Sequence, residues 1–129
     1  MVILFDQFNL SENVYELIFS TEQQVDVGRL LIDELKNNAG QLTKAEMSDF
    51  ANRLHEGLSF TKIVDDGFGE KQISQTMSYN KRQFYDRILT PMKAMGMVDY
   101  DLYKKHYKLS ASFTKVAEKI AAMWTHEAR

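Results

Sequence analysis

Lysine and arginine are unevenly spread along this chain, and their positions carry its first chemical signal. Residues 1 to 79 hold 6 Lys+Arg against 13 Asp+Glu, giving −7, whereas residues 80 to 129 hold 10 against 5, giving +5. The later positive charge gathers at two places. Lys81, Arg82 and Arg87 share one segment, and Lys104, Lys105 and Lys108 share another, with His106 among them. Such clustering inside a chain of net charge −2 turns its second half toward something anionic. The overall near-balance argues against a wholly basic nucleic-acid coat and against an acidic disordered tail.

Catalytic chemistry finds less material. There is no cysteine, which removes disulfides, thiolate nucleophiles, iron–sulfur clusters and cysteine-ligated zinc. Gly67-Phe68-Gly69 lacks the third glycine and the preceding strand of a dinucleotide site, and no Gly-Lys-Ser/Thr motif is present for nucleotide phosphates. Asp65, Asp66 and Glu70 could ligate a hard cation, but acids in a glycine-bearing loop are more often simply solvated. His55, His106 and His126 are scattered, without the spacing of a metal pair. The chain is therefore expected not to be an enzyme and to need no cofactor. The methionines at 92, 95, 97 and 123 fall at helical spacing and read as core filler rather than a soft-metal site. Tyr100, Tyr103 and Tyr107 could stack bases, although strand packing is the better account of Tyr100 and Tyr107.

The elements that must position these groups follow from periodicity. Ser11 is a plausible N-cap for a short helix through Val14, Leu17 and Ile18. Asp26 can cap a helix with Val27, Leu30, Leu31 and Leu35 on one face, stopped by Asn37-Asn38-Ala39-Gly40. Thr43-Lys44-Ala45-Glu46 is a capping box, opening a helix with Met47, Phe50, Ala51 and Leu54 that ends near Gly57. Residues 57–76 are expected to form two short helices around the Gly67-Phe68-Gly69 break. Asn80, supported by Gln83, caps a helix with Phe84, Ile88, Met92 and Met95 in a stripe, interrupted at Pro91 and ended by Gly96. Thereafter the period becomes two. Val98, Tyr100 and Leu102 share a face, then Tyr107 and Leu109, predicting a hairpin with a loop at Tyr103 to His106. A last amphipathic helix runs from about Ser112 to Ala128.

A length of 129 residues with 44% apolar content suits one domain with a real core. Met1-Val2-Ile3-Leu4-Phe5-Asp6 has no basic n-region and too short an apolar run for a signal peptide or a membrane span. A soluble, cytoplasmic protein without a membrane partner is the expectation.

With these elements in order, the sequence resembles a winged helix-turn-helix domain, mainly α with a small β-hairpin wing. The resemblance is carried by the stretch from Ser78 to Leu109. Phe84-Tyr85-Asp86-Arg87-Ile88-Leu89-Thr90-Pro91-Met92-Lys93-Ala94-Met95-Gly96-Met97-Val98 is similar to the recognition helix and first wing strand of prokaryotic and archaeal transcription regulators. Tyr107-Lys108-Leu109-Ser110 is similar to the second wing strand and its exit. The implied organisation is an apolar arm over 1–25, a winged-helix domain over 26–110 and a C-terminal helix over 111–129. Two departures stand out. About 20 residues separate the helix at 43–56 from Asn80, so 57–77 reads as an insertion, unless Glu70 to Met77 is the true second helix. Lys104-Lys105 also replaces a glycine turn.

The resemblance implies a nucleoid-associated transcription regulator on double-stranded DNA, with the helix from Asn80 in the major groove and the wing at 97–110 on backbone or minor groove. Asn80 and Gln83 would read adenine, and Arg82 or Arg87 guanine. Lys81, Lys104, Lys105, Lys108 and a protonated His106 would meet phosphates, as would the Tyr79 hydroxyl. Asp86, Asp99 and Asp101 are expected to point aside or pair with lysines. Surplus apolar surface predicts a homodimer through Phe5, Phe8, Val116, Ile120, Met123 and Trp124. A protein-interaction module on the same fold is the alternative. A small-molecule effector between the arm and the last helix would find apolar lining without polar determinants.

Overall fold

The computed structural model describes residues 5–65 and 67–129. Val2, Ile3 and Leu4 of the apolar arm, and Asp66 of the acidic loop, lie outside the described residues. The fold is a mixed α+β arrangement with two small antiparallel sheets.

Helix α1 (Val14–Ile18) is capped by the Asn13 side chain, which accepts from the Tyr15 N–H. Ser11, the expected cap, instead accepts from the Asn13 N–H and shapes the turn one step earlier. Helix α2 (Glu22–Asn37) starts five residues before the expected point, because the Thr21 hydroxyl accepts from Gln24 N–H. Asp26 sits within the helix and is used by an ion pair. Val27, Leu31 and Leu35 are fully buried along one side of α2. At Gly28 an added Cβ would lie 2.7 Å from the Phe19 ring, so the glycine is what lets the chain after α1 close against α2.

The short strand β1 (Gln41–Thr43) has too few residues to show a period in the sequence. It runs directly into α3 (Lys44–Glu56), where both hydrogen bonds of the expected capping box form: Glu46 N–H to the Thr43 hydroxyl, 3.1 Å, and Thr43 N–H to the Glu46 carboxylate, 2.9 Å. The predicted apolar face of α3 is buried.

Residues 57–76 overturn the expectation of two short helices. They form a long hairpin, β2 (Leu58–Asp65) with β3 (Glu70–Met77), in register from Leu58 opposite Met77 to Asp65 opposite Glu70. Leu58, Phe60, Lys62 and Val64 alternate with the exposed Ser59, Thr61, Ile63 and Asp65. A lysine on the inner face disguises this period. Lys62 buries its stem there and directs its ammonium to Glu22 at 2.7 Å and Asp26 at 3.0 Å, both on α2. Glu70 to Met77, being a strand, is not a second helix of a helix-turn-helix.

The helical run after Asn80 comes in three registers: α4 (Lys81–Phe84), a π turn (Tyr85–Leu89) and α5 (Thr90–Ala94). Asn80 caps it as expected, accepting from Gln83 N–H at 3.1 Å. The interruption expected at Pro91 takes the form of the π turn just before it, where Thr90 N–H donates to Tyr85 C=O. Proline has no N–H for the Arg87 carbonyl, and the wider turn absorbs that loss. Gly96 ends the run at φ +83, a left-handed position.

Strands β4 (Val98–Asp101) and β5 (His106–Leu109) form the second hairpin, with residues 102–105 as the loop. Leu102 therefore lies in the turn and His106 in the strand, one residue from the expected boundaries. β1 pairs with the far edge of β5, giving a three-stranded sheet of order β1-β5-β4. Helix α6 (Ser112–Glu127) begins against Gly96, where Phe113 N–H donates to the Gly96 carbonyl at 2.9 Å.

A single core joins these parts. Phe50 of α3 meets Phe84 of α4 edge-on at 5.6 Å, and Leu31, Leu42, Ile88, Met92 and Val98 close around them. Among the described residues, no helix is long and apolar enough to cross a membrane.

Candidate nucleic-acid interface

Core packing decides which side of the α4–α5 run faces outward. Phe84, Ile88, Leu89 and Met92 are buried, which leaves Arg82, Gln83, Asp86, Arg87, Thr90 and Lys93 exposed. Arg82 and Asp86 are 3.9 Å apart, so this acid is partly matched by the cation one turn before it. Lys93, which sequence reading did not single out, belongs to the same exposed side. Its ammonium lies over the rings of Tyr100 and Tyr107, at 5.8 and 5.9 Å, and so links the helix to the second hairpin. The residue added by the π turn shifts the helical phase, and a uniform 3.6-residue period does not anticipate that shift.

Not all the predicted contacts share this surface. Tyr79 is 6% exposed and belongs to the core, with its N–H donated to the Leu54 carbonyl, so packing accounts for its ring and the expected phosphate contact is dropped. Lys81 is half-buried and bent back toward α3, where its ammonium donates to Ser48 at 3.1 Å and Asn52 at 2.9 Å. Its backbone N–H donates to His55 Nδ1. Lys81 thus ties α4 to α3. The Asn80 carboxamide oxygen is engaged as the helix cap, which leaves its NH₂ to donate outward. Arg82, Gln83 and Arg87 are the predicted residues that the fold presents to solvent on this run.

The second hairpin divides its side chains between two faces. Val98, Tyr100 and Tyr107 point to the helices, with the two tyrosine rings 4.7 Å apart. Burial raises the Tyr107 hydroxyl above its ordinary value, and that phenol belongs to the packing. Asp99 opposite Lys108 and Asp101 opposite His106 alternate with them on the outer face. The acids of this hairpin are accordingly matched in register by basic side chains. Asp101 has a second task. Its Oδ1 accepts from the N–H groups of Tyr103, 2.9 Å, and Lys104, 3.1 Å, and these bonds, that of Lys104 above all, hold its carboxyl below the usual range. Lys104 and Lys105 sit exposed at the hairpin tip.

The surfaces expected to dimerise are exposed. Val116, Ile120, Met123 and Trp124 line one stripe of α6, with Trp124 70% exposed, and Phe5 and Phe8 are likewise open to solvent. The described residues offer a different cavity from the one expected between arm and last helix. An open cleft of about 520 Å³ lies between α1, the start of α2 and β2, lined in part by Phe19, Glu22, Asp26, Arg29 and Lys62. Its charged groups include the Lys62 ion pairs that hold the hairpin to α2. Among the described residues, no three His, Cys, Asp or Glu side chains are grouped to hold a metal ion.

No protein-family model, curated protein or solved structure matches this chain.

Proposed function

We propose that the chain is a winged helix-turn-helix protein that binds double-stranded DNA and acts as a transcription regulator. The observation that carries the reading is topological. A helix, a short strand, a second helix, the α4–α5 run and a hairpin follow one another, with β1 paired on the outer edge of β5. This order supports the winged-helix reading, in which β2–β3 is an insertion between the second and third helices. The same order joins an exposed Arg82, Gln83, Arg87 and Lys93 to a hairpin whose tip carries Lys104 and Lys105. In this reading Arg82 and Arg87 reach base edges or phosphates in the major groove, and the tip lysines neutralise phosphates beside it.

The protein acts as a homodimer through the apolar stripe of α6 and the residues around Phe5 and Phe8. A two-fold pair would set two recognition helices about one helical turn of DNA, ~34 Å, apart and would read a pseudo-palindromic site. Sedimentation at micromolar concentration tests this, and a monomer there contradicts it. Ile120→Asp should shift the equilibrium toward monomer.

Duplex titration tests the DNA reading. Arg82→Ala and Arg87→Ala should each weaken binding by about 1–3 kcal/mol if they reach bases, and should relax sequence preference. Uniform weakening across sequences would assign them to phosphate instead. Failure to bind any duplex at low salt would favour the protein-interaction module, for which the acidic first 79 residues would supply a second surface.

A further inference from the structure

The tip of the β4–β5 hairpin exposes two large apolar side chains that the fold does not use. Leu102 is 76% exposed and Tyr103 97% exposed, and they stand next to Lys104 and Lys105. The loop beneath them is fixed. Asp101 Oδ1 takes the N–H groups of Tyr103 and Lys104, and the Asp101 carbonyl takes Lys105 N–H at 2.7 Å. Lys105 holds φ +55, a left-handed conformation unusual for a side chain with a Cβ, and its carbonyl accepts from Lys44 N–H at the start of α3 at 3.3 Å. A strained residue persists where its surroundings over-determine it.

We propose that Leu102 and Tyr103 form a wedge that enters the minor groove and unstacks a base step, while Lys104 and Lys105 hold the flanking phosphates. The proposal rests on the DNA-binding reading above. A wedge must be apolar to replace a stacked base, rigid to displace it and cationic at its base to be held on a polyanion. This tip has all three properties. The other hairpin makes the contrast. Its tip also exposes an aromatic ring, Phe68, but that ring stands between Asp65 and Glu70, whose charges repel a phosphate backbone. Wedge insertion should favour flexible pyrimidine–purine steps, TA above all, which are cheapest to unstack.

The test uses the full chain and duplexes of about 30 base pairs in which 2-aminopurine replaces adenine at TA steps, read by fluorescence at low salt. The wild-type chain should raise the fluorescence at saturation. Leu102→Ala with Tyr103→Ala should abolish that rise while binding is retained within about tenfold and the salt slope is unchanged, since no phosphate contact is removed. Lys104→Ala with Lys105→Ala should instead flatten the log-log slope by up to ~2. Duplex binding without a rise, or a rise that survives the Leu102 and Tyr103 substitutions, overturns the wedge and leaves the DNA reading standing. No duplex binding by the wild-type chain overturns both, as does binding to anionic phosphatidylserine vesicles in its place.

Discussion

The two hairpins are built on the same antiparallel plan and relate to the core in opposite ways. β4–β5 is extended by β1 into a three-stranded sheet, buries Val98 and Tyr107, and is held at its tip by Asp101. β2–β3 is longer but stands as two strands, with β3 exposed along its length except at Met77. What joins it to the rest is a half-buried face of β2, Met77 packed against the core, and the ion pairs of Lys62 with Glu22 and Asp26. Hairpin length therefore does not set stability here. A third strand and a buried face do, because an isolated two-stranded hairpin is marginal in water. The functional reading follows the same division: the rigid hairpin presents cations, and the loosely held one presents polar side chains.

The largest effect should come from the core on which β4–β5 rests. Phe84→Ala should cost about 3–5 kcal/mol in denaturant unfolding, because the ring is fully buried against Phe50. Phe60→Ala on β2 should cost about 1 kcal/mol, as its side chain is only half-buried. Equal costs would erase the distinction between the core that carries β4–β5 and the loosely held β2. Next in size is Gly96→Ala. A Cβ there would meet Phe113 N at 2.8 Å at a left-handed φ, and about 2 kcal/mol should be lost, together with protection of the first α6 amides from hydrogen exchange.

Smaller effects sharpen the comparison by reporting on one hairpin alone. Lys62→Met should lower global stability by about 1–2 kcal/mol, since Glu22 is solvent-exposed but the largely buried Asp26 carboxylate loses its cation. It should nevertheless speed amide exchange in β2 and β3 without changing β4 and β5. The Lys62 ammonium is raised by its hydrogen bond to Glu22, so its contribution is complete below the ordinary lysine value and fades as pH climbs through the raised one. Glu22 is lowered by the same bond, and its share is lost as pH falls through the lowered value. The smallest effect is at the other tip. Asp101→Ala should free the Tyr103 and Lys104 amides to exchange while leaving the melting temperature nearly unchanged. Acid should do the same to the native chain, because a lowered carboxyl keeps its contribution above the ordinary aspartate value and loses it on descent through the lowered one.

These contrasts also explain what could be read from the residues. The capping box at Thr43, the Asn80 cap, the Gly96 stop and the β4–β5 alternation were legible because each is a local rule with one physical cause. The β2–β3 hairpin was not. Its period of two is carried by one face only, and on that face a lysine replaces an apolar residue for the sake of two acids distant in sequence. β1 was too short to have a period. At the candidate site, charge clustering located the two basic segments, but only packing could turn Tyr79 inward and Lys81 toward Ser48 and Asn52. Lys93 was missed because its place depends on the π turn and on two tyrosines across the hairpin.

Duplex DNA binding measured against salt concentration with the full chain is the most direct test of the basic surface. Engagement of about six phosphates by the α4–α5 face and the β4–β5 tip predicts a log-log slope of roughly −5, from ~0.9 per contact, reduced when Arg82, Arg87, Lys104 and Lys105 are replaced by alanine. Absence of duplex binding at low salt, or binding whose slope is unchanged by those four substitutions, would contradict it.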